Sequence, residues 1–116
     1  MKRHKLLTAL AVLLHIPVPA AKAAKTHPSY ATCYDLQGKT KSGKWVNKRT
    51  AAHDFLPFRT KIRIVGPNAG PGGIRRYIVR DTGPALSDGH FDLWSPGGCL
   101  AYGSKPIRWK IGWAKP

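Results

Sequence analysis

The chain has 116 residues, with 20 Lys and Arg against 5 acidic residues, and a formal net charge of +15. That length leaves room for one domain. The charge points away from cationic partners and toward polyanions: nucleic acid, anionic lipid or acidic wall polymers.

In chain order, the first feature is a basic start (Lys2, Arg3, Lys5), an apolar run from Leu6 to Ile16, then "PVPAAKA". This is the pattern of a secretory signal peptide, and the run is too short to span a bilayer. Ala21-Lys22-Ala23 fits the cleavage box, so residues 1–23 are expected to be a removed leader. The mature chain then keeps 16 of the 20 Lys and Arg against the 5 Asp. Export makes a wall polymer or wall-bound lipid the expected polyanion rather than nucleic acid.

Residues 24–29 ("AKTHPS") read as a short polar linker, and 30–116 as the domain. Cys33 and Cys99 are the only cysteines. Export permits a disulfide, and closing a loop of that length stabilises a small fold by roughly 4 kcal/mol in the chain-entropy model. Neither has C-x-x-C spacing, which disfavours redox catalysis and zinc.

Short runs between Gly and Pro carry period-two strand signals. "KIRIV" (61–65) alternates basic and apolar, and "RYIVR" (76–80) is β-branched and aromatic. "RWKIGW" (108–113) puts Trp109, Ile111 and Trp113 on one face and Arg108 and Lys110 on the other. "GPNAGPGG" (66–73) is a turn-rich loop without the Lys-Ser/Thr ending of a phosphate loop. A helical turn or two is expected near Gly98–Tyr102, with Gly103 to stop it. The reading is a small all-β barrel of five to seven strands.

In "GHFDLW", strand alternation sends Phe91 and Leu93 to the core and His90, Asp92 and Trp94 to the other face. An indole there is a platform for a sugar ring, and a carboxyl beside it is partly desolvated. Desolvation and a nearby second carboxylate raise an Asp pKa, as a general acid near neutral pH requires. A turn cap or a pairing with Arg is the bland alternative for Asp92.

"TAAHD" with Asp54, "RDTGP" with Asp81 and "GHFDLW" with Asp92 resemble the three-aspartate motif of the 3D domain. That family includes the membrane-bound lytic transglycosylase A group and has expansins and inverting endoglucanases as relatives. The resemblance covers about residues 30–113. It implies a six-stranded double-psi β-barrel, with Asp92 as catalytic acid/base, Asp81 its companion and Asp54 the third member of the cluster. The implied activity is exported peptidoglycan lytic transglycosylase chemistry on the bond between N-acetylmuramic acid and N-acetylglucosamine, with a 1,6-anhydro product and no cofactor. A non-catalytic, expansin-like wall-binding module and an inverting hydrolase are the alternatives. Two local departures stand out: "DTGP" for "DTGG", and "FRT" for "LGT", which puts Arg59 where many members have a turn glycine.

His90, Trp94 and Thr82 are the expected substrate contacts. His53 and His27 have no assigned ligand role, because zinc sites need three or four convergent residues; a surface or substrate-bonding place is expected for His53. Trp45 is expected at a half-buried barrel position, and Asp35 and Asp88 in loops. The expected partners are peptidoglycan glycan strands and, through the basic surface, anionic polymers or lipid head groups, for a monomeric chain that binds no nucleic acid.

Overall fold

The computed structural model describes residues 25–83 and 86–113. The leader expected at 1–23, and Pro84 and Ala85 of the "RDTGPA" segment, lie outside them. Six strands, β1 (His27–Tyr34), β2 (Thr50–Ala52), β3 (Lys61–Val65), β4 (Arg76–Asp81), β5 (Phe91–Trp94) and β6 (Lys105–Ile111), close into a barrel in the order β1-β5-β2-β4-β3-β6. Neighbours β1/β5 and β2/β4 run parallel; the other four pairs are antiparallel. Advancing every strand by three in chain order maps each pair onto a pair of the same direction, so the strand order has two-fold symmetry. The all-β expectation holds, with a single helix, α1 (Cys99–Tyr102), and a 3-10 turn at Pro71–Gly73 among the described residues.

Alternation builds the interior. Ala31, Ala51, Ile62, Ile64, Tyr77, Val79, Phe91, Leu93, Ile107 and Trp109 form one buried cluster. Phe91 and Leu93 point inward as the sequence requires, and Phe91 meets Trp109 edge-on at 5.1 Å between centroids. Cys33 of β1 is joined to Cys99 of α1, 66 positions away, fastening the helix to the strand that it packs on. Gly98 and Gly103 bracket α1 with φ of 76° and 67°, left-handed values that a side chain would resist.

Three expectations are corrected. β1 begins at His27, inside the segment read as a linker, because β6 offers it an antiparallel partner: His27 pairs with Trp109 and its ring sits 4.7 Å from the indole. Trp45 is 64 % exposed, since it belongs to a small hairpin over the barrel (paired with Lys39) and not to the wall. β6 ends at Ile111, leaving Ile111 exposed and Trp113 beneath a cationic cover of Arg49, Lys61 and Arg76.

Gly70 shows how tightly the turn-rich loop is packed. A Cβ there would stand 2.1 Å from Tyr77 Oη and 2.8 Å from the Ile74 carbonyl oxygen, and the buried phenol has nowhere to retreat. Gly70→Ala is expected to cost about 1–3 kcal/mol through overpacking, read as a lowered Tm. Adding Tyr77→Phe, which removes the nearest atom, should restore part of the loss. An alanine protein melting with wild type would show that the loop does not bear on the core.

Candidate active site

The site is assembled by strand register. Asp92 of β5 lies beside Thr32 of β1 on one side and Ala52 of β2 on the other, and Ala52 in turn lies beside Asp81 of β4. Four adjacent strands thus present a row: Thr32, Asp92, Ala52, Asp81. The last place depends on an irregularity. Thr50 pairs with Ile78 and Ala51 with Val79, but Ala52 pairs with Asp81, so Arg80 is an extra residue in β4. A bulge of this kind re-aims the side chains that follow it. Between the two carboxylates stands only a methyl group, and the Cα atoms of Asp92 and Asp81 are on the order of 10 Å apart, two strand spacings.

Asp81 is held by three donors. The backbone N–H groups of Lys41 and Thr82 both donate to Oδ1 at 3.0 Å, and the Tyr34 hydroxyl donates to Oδ2 at 3.2 Å. It anchors the 38–46 hairpin and the start of the next loop while aiming the Tyr34 phenol along the row. Burial, reinforced by the charges of Asp81 and Asp92, pushes the Tyr34 pKa well above the ordinary tyrosine range, so the phenol keeps its proton.

Asp92 is partly buried and receives one side-chain hydrogen bond, from Thr32 Oγ1 to Oδ1 at 2.9 Å. Thr32 Oγ1 also lies 2.6 Å from His90 Nε2. A threonine hydroxyl has one proton; when it donates to the Asp92 carboxylate, His90 must present Nε2–H to it. With Asp92 protonated the chain can reverse, Asp92 donating to Thr32 and Thr32 to an unprotonated Nε2. Burial raises the Asp92 pKa above the usual carboxylate value; the Thr32 hydrogen bond and His90 oppose the shift, and Asp81 adds to it. Asp92 is therefore a carboxyl whose protonated form burial favours, one strand away from Ala52 and two from Asp81 with its three donors.

The remaining expected residues take different places. Thr82 is exposed at the rim, its amide on Asp81, and shares a small hollow with Asp54. Asp54 makes no hydrogen bond to Asp81 or Asp92 among the described residues; its Oδ1 lies 3.4 Å from His53 Nδ1. That contact is no ion pair, because His53 Nδ1 accepts the backbone N–H groups of Phe55 and Leu56 at 3.2 and 3.1 Å, and burial lowers the histidine pKa. His53 is itself corrected: it is 1 % exposed, wedged between Phe55 and Phe91, not at the surface. Trp94 is corrected too. Its indole N–H donates to the Leu36 carbonyl at 2.8 Å and it is 6 % exposed, so the segment after β1 covers the face expected to stack on a sugar. Asp35 and Asp88 lie in exposed loops.

Thr32 and Tyr34 are absent from the sequence reading. Their period-two spacing in "ATCY" was legible, but only the parallel register of β1 on β5 brings them to the acid row. A small hollow beside Thr32 and His90 shares Ser29, Tyr30 and Asp88 with a hollow of about 700 Å³ against Pro106 and Arg108. That hollow is large but holds no proton-transfer group beyond Asp88. Among the described residues no three His, Cys, Asp or Glu side chains converge closely enough to hold a metal ion. No protein-family model and no curated protein matches this chain.

Because the folded protein keeps the Asp92 proton to higher pH than the unfolded chain does, native stability falls as pH rises from the ordinary carboxylate value through the raised one. Asp92→Asn escapes that loss. It should melt above wild type at neutral pH, with the difference shrinking to nothing below the usual carboxylate range. Equal melting of the two proteins across that whole range would show that the ionised carboxylate is fully compensated in the fold.

Proposed function

We propose that the protein is an exported lytic transglycosylase of peptidoglycan, acting through Asp92. The row Thr32, Asp92, Ala52, Asp81 carries the proposal: one partly buried carboxyl whose pKa is raised by burial, separated by the buried methyl of Ala52 from a second, anchored carboxylate. The two-fold strand order supports the double-psi barrel that the resemblance to the 3D domain implies.

In this reading a glycan strand reaches the row at the partly exposed carboxyls of Asp92 and Asp81. Asp92 protonates the glycosidic oxygen as the bond to the anomeric carbon breaks. The resulting carboxylate then takes the proton from the C6 hydroxyl, whose oxygen bonds to the same carbon and closes the 1,6-anhydro ring. One proton leaves with the departing sugar as its new hydroxyl and another arrives from C6, so Asp92 ends protonated as it began and no water enters. Thr32 stabilises the carboxylate phase by donating to Oδ1, and Asp81 with Tyr34 supplies fixed polarity where positive charge builds on the sugar. Asp54 and Thr82, which share a small hollow with His53, serve in this reading as substrate contacts, and His90 acts through Thr32.

The spacing of the carboxylates favours one second reading. Two strand spacings leave room for a water molecule between Asp92 and Asp81, as inverting hydrolysis requires. The three donors on Asp81 weigh against it, since they occupy the lone pairs that a general base would use.

Mass spectrometry of a sacculus digest separates these readings: anhydro-muramic ends support the transglycosylase, reducing ends the hydrolase, and no release a binding module. Asp92→Asn should abolish cleavage, a loss of about 10²–10⁴-fold or more, without loss of the fold. Asp81→Asn should retain some activity with its optimum displaced toward acid, because losing that charge lowers the Asp92 pKa.

A further inference from the structure

A second recess, about 600 Å³, lies against the outer faces of β3 and β4. Lys44, Arg59, Lys61 and Arg80 line it, with Phe58 and Ile78 as its apolar part. The four cations come from four separate pieces of chain: the hairpin, the 57–60 turn, β3 and the bulge in β4. Among the described residues the only acid–base side-chain pair within 4 Å is His53 with Asp54, so no carboxylate answers any of the four.

The backbone beneath two of them is fixed. Arg59 has a φ of 77°, a conformation that L residues rarely adopt. Its N–H donates to the Val79 carbonyl at 2.8 Å, and Thr60 closes the turn on Pro57 through both its amide and its hydroxyl. Arg80 is the bulge residue, its carbonyl accepting the Ser42 amide at 3.1 Å. A surface that needed only solubility has no reason to place an arginine on glycine-like backbone facing three more cations. Uncompensated positive charge in a concave site raises the local concentration of anions.

We propose that this recess binds the phosphates of a linear phosphodiester polymer with short polyol links, lying beside the acid row. A single carboxylate would balance one charge in four, whereas successive phosphates balance several. Arginine forks and lysine ammonium groups both recognise phosphate oxygens, and Ile78 and Phe58 can take the carbon segments between them. A nucleic acid strand would call for successive aromatic platforms, and Phe58, 42 % exposed, is the one aromatic side chain here. The recess adjoins the acid row through adjacent backbone groups: Lys41 N–H binds the Asp81 carboxylate and Ser42 N–H the Arg80 carbonyl. Binding here does not require that the acid row cleave anything.

The test is a titration of the 15N-labelled protein with poly(glycerol phosphate) of about ten units, followed by amide shifts and by calorimetry. Shifts should concentrate at Ser42, Arg59 and Arg80. Arg59→Asn/Arg80→Gln, in which asparagine tolerates the left-handed backbone, should weaken binding about tenfold or more. Arg63→Gln/Lys110→Gln removes the same charge from a facing pair elsewhere on the barrel and should change binding less than about threefold. Arg59→Asn alone keeps the test open if the double variant melts early. Equal losses in both double variants, no loss in either, or tighter binding of single-stranded DNA with the same number of phosphates would each overturn the proposal.

Discussion

One extra residue in β4 governs both sites. If Arg80 paired with Ala52 in regular register, Asp81 would fall out of the row, because a one-residue slip moves a side chain to the opposite face. The bulge instead turns Asp81 toward Ala52 while Arg80 looks into the cationic recess. Two residues adjacent in sequence and opposite in charge thereby serve two neighbouring places, Asp81 the row and Arg80 the recess. The acid row and the basic recess are one construction.

Within the row the carboxylates differ by their donors. Asp81 has two backbone amides and a phenol, so its charge is fully supported; Asp92 has one hydroxyl and a partly buried setting, so its charge is not. Environment distinguishes chemically identical groups: burial raises the pKa of Asp92, while Asp81 is tied by its donors to the hairpin and the loop that follows β4. Ala52 keeps them apart without filling the space.

Alternation made the core legible: Phe91, Leu93, Ile62, Ile64 and Trp109 face inward as their spacing requires, and Gly103 stops the only described α-helix where a left-handed cap is needed. The Cys33–Cys99 disulfide accords with the expectation drawn from two cysteines and an export-type leader. Trp94 and His53 were misjudged because their burial is decided by distant or irregular backbone, the Leu36 carbonyl for one and the amides of residues 55 and 56 for the other. Thr32 and Tyr34 were missed because a parallel pairing between strands some sixty positions apart leaves no local mark. The bulge was invisible for the same reason, since "RYIVRD" alternates evenly on paper and only its partner shows the slip.

The strand order also governs how the molecule can come into being. Divide the chain between β3 and β4, and every one of the six neighbour pairs joins a strand of the first half to a strand of the second. No strand pairs within its own half. A ribosome that has made the first 65 residues has therefore made three strands with no sheet to enter, and their backbone groups stay with water until the later strands emerge. Structure must arrive late and nearly all at once, over long loops whose closure is slow. Such a chain remains extended and threadable until it is nearly complete, and it gains its barrel and its acid row in one concerted event.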